Sequence, residues 1–102
     1  MKIVWTDPAV EDLRELHAYI ARDSEMYAGG FVERIILAAE RLVAHPKLGR
    51  IVSETTDESI RELIFQRYRI IYRIDNDTIE LLSVIHGARE LGELKPAPWD
   101  VG

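Results

Sequence analysis

Three short runs rich in β-branched and aromatic residues follow one another in the last third of the chain, with almost no spacer between them. They cover residues 59–65, 68–74 and 78–86. The first gap is Gln66-Arg67 and the second centres on Asn76-Asp77, and both are short enough for hairpin turns. Runs of this composition, joined this tightly, predict a three-stranded antiparallel meander.

Side chains alternate along each strand of this meander, so the sheet has two distinct faces. A two-residue turn at Asn76-Asp77 predicts the register Arg73 opposite Glu80, Tyr72 opposite Leu81, and Arg69 opposite Val84. The face predicted to meet the helices carries Tyr68, Ile70, Tyr72, Leu81, Ser83 and Ile85. The opposite face is predicted to be an outward, basic, half-apolar surface of Arg69, Arg73, Glu80 and His86 among Ile71, Leu82 and Val84. The orientation of Arg61 stays open, because a slip of one residue would move it between faces.

The first half of the chain predicts one strand and two helices. Residues 2–6 are a strand candidate, and Asp7 is predicted to cap a helix over about 8–22 with Pro8 at its first position. Asp23-Ser24 ends that helix and can cap a second one over about 25–44. So short a join makes the two helices a hairpin.

The predicted fold class is therefore α+β, with an N-terminal strand and a helical hairpin packed on one face of a mostly antiparallel three- to four-stranded sheet. A chain of 102 residues is one domain, with a core over about 2–91. Residues from about 92 to 102, which include two prolines, read as a tail without fixed regular structure.

Composition narrows the class of protein. The sequence has no cysteine and therefore no disulfide or thiolate nucleophile, and its spacing shows no metal-ligand motif or glycine-rich phosphate loop, so we expect no metal and no cofactor. No apolar run approaches a membrane span and no secretory leader is visible, so we expect a cytoplasmic protein without membrane contact. The net charge of −5 argues against a surface wholly devoted to nucleic acid, although residues 59–73 hold four arginines against one glutamate.

Two further features leave alternatives open. The second helix carries two adjacent apolar rows, which are Phe31, Ile35, Ala38 and Leu42, and Val32, Ile36, Ala39 and Val43. Either the helix touches both its partner helix and the sheet, or the second row receives a partner protein. Trp99, near the end of the tail, is a large apolar side chain, so it also needs a pocket or a partner.

His86, at the end of the last strand, is the histidine with the strongest functional reading. Next to Arg69 on an exposed face, it can act as a general acid or base while the arginine holds phosphate, which is chemistry that cleaves RNA through its 2′-hydroxyl. The alternative is structural: the histidine ends a strand, and the arginines form a solvated face in which Arg73 pairs with Glu80.

The ordered set of local patterns resembles the RelE/ParE superfamily of type II toxin–antitoxin toxins. These patterns are Ile3-Val-Trp-Thr-Asp-Pro-Ala9, Glu11-Asp12-Leu13, Ala18-Tyr19-Ile20-Ala21, Pro46-Lys-Leu-Gly-Arg50, Ile60-Arg-Glu-Leu63, Tyr68-Arg-Ile-Ile-Tyr-Arg73 and Val84-Ile-His-Gly-Ala-Arg89. The likeness covers about residues 2–91. It implies a small cytoplasmic toxin that inhibits growth and is neutralised by a cognate antitoxin, which in this family lays a helix and an extended segment on the toxin. The antitoxin-binding residues that the resemblance suggests are Val32, Ile36, Val43 and Trp99.

The superfamily has two branches with different targets. ParE-like members bind and inhibit DNA gyrase, whereas RelE-like members cut mRNA on the ribosome, for which this chain would use Arg61, Arg69, His86 and Arg89. The acidic net charge, the absence of lysine from the meander and the His-Gly-Ala-Arg-Glu ending favour the ParE-like function. The ribosome-dependent nuclease is the alternative, and a module that has lost toxicity is a third reading.

Overall fold

The computed structural model describes residues 1–88, 94 and 96–100. Its regular elements are β1 (Lys2–Trp5), α1 (Asp7–Ala21), α2 (Glu25–Glu40), β2 (Arg50–Ile51), β3 (Ile60–Phe65), β4 (Tyr68–Asp75) and β5 (Thr78–His86), with short 3₁₀ turns at Arg41–Val43 and Pro98–Asp100. The α+β class and the helical hairpin are confirmed. The turn at Pro98–Asp100 corrects the prediction that the tail has no regular structure.

Both helices begin at a hydroxyl cap. The Thr6 hydroxyl accepts a hydrogen bond from the Ala9 N–H and donates one to the Leu81 carbonyl at 2.7 Å, so it fixes the start of α1 to β5. The prediction that Asp7 is the cap was wrong, because Asp7 is already helical. Ser24 caps α2 as predicted and accepts from the Tyr27 N–H at 3.1 Å.

The sheet has five strands in the order β1-β5-β4-β3-β2, in which β1 is parallel to β5 and the other pairs are antiparallel. Strand β2, which pairs Arg50 with Glu62 and Ile51 with Arg61, exceeds the predicted three to four strands. Strand β2 was not predicted, because two residues are too short to show an alternating pattern. Both predicted two-residue turns are present, with positive φ values of 53° at Gln66 and 54° at Asn76.

A β-bulge in β5 changes the predicted register of the last hairpin. Arg73 lies opposite Glu80 and Tyr72 opposite Leu81, as predicted. Ile71 then lies opposite Ser83, so Leu82 is an extra residue in β5. Arg69 therefore lies opposite Ile85, which corrects the predicted pairing with Val84.

The bulge also exchanges the faces of the residues that follow it, because a shift of one residue reverses every side chain. Val84 packs in the core under the helices, and Ile85 packs on the opposite face. His86 lies opposite Tyr68, on the helix side of the sheet. The predicted positions of Val84, Ile85 and His86 were therefore wrong, whereas those of Arg69 and Arg73 on the other face were right.

Each face of the sheet has its own hydrophobic core. The helix face, where α1 and α2 pack, buries Ala9, Leu13, Leu16, Phe31, Ile35, Ala38, Ala39, Leu42, Ile70, Tyr72, Ile79, Leu81 and Val84. The far face buries Val52, Ile60, Ile71, Leu82 and Ile85, against which Leu94 and Trp99 pack. The expected outward surface is thus covered by the 52–59 loop and the tail, since an apolar row this long is costly to leave in water.

Tyr72 fixes the loop after α2 to the sheet. Its fully buried hydroxyl donates to the Pro46 carbonyl at 2.7 Å and accepts from the Gly49 N–H at 3.0 Å. Burial raises the pKa of the Tyr72 phenol. A Cβ at Gly49 would lie 2.4 Å from the Glu62 carbonyl oxygen, so only glycine fits there. Arg61, which lies opposite Tyr72, donates to the Gly49 carbonyl at 2.7 Å.

Candidate functional site

Four charged side chains form a network on the far face, which we call the carboxylate–arginine cluster: Arg50, Glu54, Glu62 and Arg69. Two guanidinium nitrogens of Arg69 donate to the two carboxylate oxygens of Glu54 at 3.0 and 3.1 Å. Arg69 also donates to Glu62, which receives Arg50 on its other oxygen at 2.9 and 3.0 Å. The cluster links the 52–59 loop to β2, β3 and β4.

Burial explains why these charges are paired. The side chain of Glu62 is 2% exposed and that of Arg69 is 11% exposed, and isolated charges at such depth would be strongly destabilising. The hydrogen bond from Arg69 holds the pKa of the Glu54 carboxyl below its usual value, and the same bond raises the pKa of Arg69. The positive charge of Arg69 is therefore compensated within the chain.

Arg73 is also engaged within the protein. It lies 3.6 Å from a carboxylate oxygen of Glu80, as predicted, and it donates to the Trp99 carbonyl at 2.6 Å. Because Trp99 belongs to the tail, this second bond holds the tail segment that covers the far face.

His86 lines a separate cleft between α1 and the end of β5, which we call the Tyr68–His86 cleft. It has a volume of about 330 Å³ and is lined by Asp12, Glu15, Leu16, Tyr19, Tyr68, Val84, Ile85 and His86. The rings of Tyr68 and His86 meet edge to face, with centroids 5.4 Å apart and planes at 80°. His86 Nδ1 accepts from the Ala88 N–H at 3.1 Å, so the neutral ring carries its proton on Nε2. Burial raises the pKa of the Tyr68 phenol, and the neighbouring Tyr19 adds to this shift.

The structure does not bring together the three described members of the candidate nuclease set. Arg69 belongs to the carboxylate–arginine cluster on the far face, and Arg61 is bonded to the 46–49 loop. His86 lies on the helix side, in a cleft with two carboxylates. Arg89 lies outside the described residues.

The suggested antitoxin-binding residues also separate into two regions. Val32 and Ile36 pack against the helix-face core and are half-buried, so part of each side chain remains exposed. Val43 is half-buried in the 3₁₀ turn after α2. Trp99 finds its pocket on the far face.

Sequence reasoning missed the acidic partners of the arginines. Glu62 follows Arg61 in β3 and therefore points to the opposite face of the sheet. A glutamate among the apolar residues of a central strand was the available signal for a buried ion pair. Glu54 gave no signal, because only the folded loop brings it to Arg69. Asp12 was missed as well: it accepts from the Ser83 hydroxyl at 2.8 Å and the Val84 N–H at 2.9 Å, and so ties α1 to β5 just past the bulge.

None of the described helices is both long and apolar enough to cross a membrane. Within the same part of the chain, no three histidine or carboxylate side chains are grouped to hold a metal ion.

The fold of this chain is a helical hairpin packed on one face of a mixed sheet. Two solved structures share it. The chromosomal ParDE TA system from P. aeruginosa matches with a TM-score of 0.70 and 22% identity, over 84% of this chain and 95% of that one. The toxin–antitoxin complex RelBE2 from Mycobacterium tuberculosis matches with a TM-score of 0.59 and 24% identity, over 83% and 95%.

Sequence comparison gives the family. The model of the ParE toxin of the type II toxin–antitoxin system parDE matches residues 3–91. Toxin RelE2 of Caulobacter vibrioides is 30% identical over 89 residues, which are 86% of this chain and 97% of that protein. The chain therefore belongs to the ParE toxin family of type II toxin–antitoxin systems.

Proposed function

We propose that this toxin inhibits growth by binding DNA gyrase in the cytoplasm, and that a cognate antitoxin neutralises it. The observation that supports this best is the engagement of Arg69, whose guanidinium is held by Glu54 and Glu62 with 11% of the side chain exposed. Both terminal nitrogens of this guanidinium donate to the two glutamates, and Nε, which has no partner among the described residues, is buried, so the group is poorly placed to bind an RNA phosphate. Binding of a protein target needs no such group.

The surroundings of His86 support the same proposal. A nuclease needs its general base or acid beside the phosphate that it attacks. His86 instead lies across the sheet from Arg69, and the carboxylates of Asp12 and Glu15 in its cleft would repel RNA. The net charge of −5 adds to this repulsion, and the three lysines of the chain, Lys2, Lys47 and Lys95, all lie outside β3, β4 and β5.

The RelE-like nuclease is the second candidate, because a relative that covers most of the chain carries the name Toxin RelE2. Its set would be Arg61, Arg69, His86 and Arg89. For that function Glu54 would have to release Arg69, and His86 would have to act from the other face of the sheet.

For the antitoxin we propose two contact regions. One is α2 and the turn after it, where Val32, Ile36 and Val43 are half-buried beside Leu37, which is 53% exposed. The other is the tail around Trp99. Apolar side chains that remain partly in water are the ones that a folding antitoxin segment can bury.

Expression under tight control, in cells that lack the antitoxin, tests the target. In the cells we expect filamentation and an SOS response, with translation continuing at first. In a separate assay, the purified toxin should inhibit supercoiling by purified gyrase. Rapid arrest of translation with mRNA cut at ribosomes would favour the nuclease instead. Unchanged growth, with folded protein present, would leave only the reading that toxicity has been lost.

Two variants separate the mechanisms without unfolding the chain. His86→Ala removes an exposed side chain, and His45→Ala is its matched control outside the cleft. Glu62→Leu combined with Arg69→Met replaces the buried ion pair by apolar side chains that fill the same space. Arg69→Ala alone would instead leave the buried Glu62 carboxylate without Arg69. We expect the double variant to retain toxicity, and mRNA cleavage at ribosomes that is lost in folded His86→Ala and in the folded double variant would overturn the gyrase proposal.

A further inference from the structure

We infer that the Tyr68–His86 cleft receives an arginine side chain of a protein partner. This inference goes beyond the choice of target, because it concerns the chemistry of one binding cleft and does not depend on whether gyrase or the ribosome is inhibited. It rests on three observations: aromatic walls, acidic acceptors, and a rigid frame that holds both in place.

The walls of the cleft are aromatic and its floor is apolar. Tyr19, Tyr68 and His86 contribute rings, and Leu16 and Val84 lie beneath them. The face of a tyrosine ring attracts a cation, and a planar guanidinium also stacks on it. The chain itself gives an example, since the Arg22 guanidinium carbon lies 6.0 Å from the centroid of the Tyr19 ring at the margin of the cleft.

The charge of the cleft complements a cation. Oδ2 of Asp12 is bound by Ser83 and Val84, and no donor in the described part of the chain reaches its Oδ1. Glu15 is exposed at the rim, and the described residues offer it no ion-pair partner within 4.0 Å. Among the residues that the structure describes, neither lysine nor arginine lines the cleft. Two carboxylates at the end of aromatic walls suit the forked donors of arginine better than the point charge of lysine, and they exclude an anion.

The frame is fixed before a partner arrives. Tyr68 packs edge to face on Phe31 at 5.6 Å as well as on His86 at 5.4 Å, so its ring is held from two sides. Asp12 is pinned to the backbone of β5 at the bulge. A ligand therefore orders little of the protein on binding, which favours affinity even for a single side chain.

The test is an NMR titration of the full-length chain with Nα-acetyl-arginine amide in low salt. We expect saturable shifts of the backbone amides of Leu16, Tyr68 and His86, with a dissociation constant in the millimolar range. The matched probe, Nα-acetyl-citrulline amide, has the same shape without the charge and should not saturate these signals. Equal binding of both probes, or no saturable shift at about 50 mM arginine probe, would overturn the inference.

A pair of variants assigns the binding to the cleft. Glu15→Gln removes the rim carboxylate and should weaken binding of the arginine probe about five-fold. Glu11→Gln, one turn earlier on α1, lies outside the cleft lining and should leave the affinity unchanged. Both positions are exposed, so both variants should fold. Unchanged affinity in Glu15→Gln would show that the probe binds elsewhere and would refute the assignment.

Discussion

The two faces of the sheet are built from the same strands, yet they bury different chemistry. The helix face buries the larger apolar core, and the phenol of Tyr72 within that core is satisfied by the backbone of the 46–49 loop. The far face combines a smaller apolar core with the carboxylate–arginine cluster and is covered by a loop and a short tail. The comparison shows that a loop and a tail can cover a sheet face where charged pairs hold them in place.

The largest expected difference in unfolding free energy is between variants of Ile70 and Ile71 on β4. Both residues are fully buried, and they point to opposite faces of the sheet. Ile70→Ala should cost about 4 kcal/mol of unfolding free energy, because two packed helices cannot collapse into the cavity. Ile71→Ala should cost about 2 kcal/mol, because the 52–59 loop and the tail can move inward. Urea denaturation of both variants measures the difference. Equal costs would show that the far face is packed as rigidly as the helix face.

The next effect concerns the charges that hold the far-face cover. Arg69→Ala should cost about 3 kcal/mol, because it leaves the buried Glu62 with only the exposed Arg50 as a partner. The double replacement of Glu62 by Leu and Arg69 by Met should recover most of that stability. Denaturant unfolding of the single and double variants checks this. A double variant no more stable than the single one would mean that the cluster does more than neutralise its own charges.

The smallest effect depends on pH. The hydrogen bond from Arg69 lowers the pKa of Glu54, so its stabilisation is present above the usual carboxyl value of 4.5 and is lost as the pH falls through the lower folded value. Glu54→Gln should therefore cost about 1 kcal/mol at pH 7 and progressively less in acid. Unfolding curves at several pH values measure this.

Asp57, in the same loop, provides the control for this titration. Its pKa is also lowered, by the Ser59 hydroxyl, but it lies outside the cluster, so Asp57→Asn should leave the contribution of Glu54 intact. A Glu54→Gln penalty that stays constant down to pH 3 would contradict the assignment to the carboxylate.

The sequence predicted those parts of the fold that have a periodic pattern. Alternation and the Gln66-Arg67 and Asn76-Asp77 gaps were enough for β3, β4 and β5, and apolar spacing was enough for the two helices. The bulge could not be predicted, because residues 81–85 are apolar at nearly every position and satisfy either register. The short β2 has no pattern to recognise, and its place depends on Arg50 reaching Glu62.

The site was less predictable than the fold. Arg69 was placed on the correct face, but its engagement by Glu54 depends on a loop conformation that local sequence does not encode. His86 was placed beside Arg69 because a regular strand would put it there, and the bulge moves it to the other side. One unrecognised irregularity was therefore enough to separate residues that alternation had grouped together.

That inserted residue, Leu82, makes the length of β5 as important as its composition. An in-frame deletion of its codon would restore a regular ladder, bring the imidazole of His86 round to the guanidinium side, and drive Val84 out from under the helices. Relatives that differ by a single insertion or deletion in this strand can therefore present different side chains to the same target while keeping nearly the same amino acids.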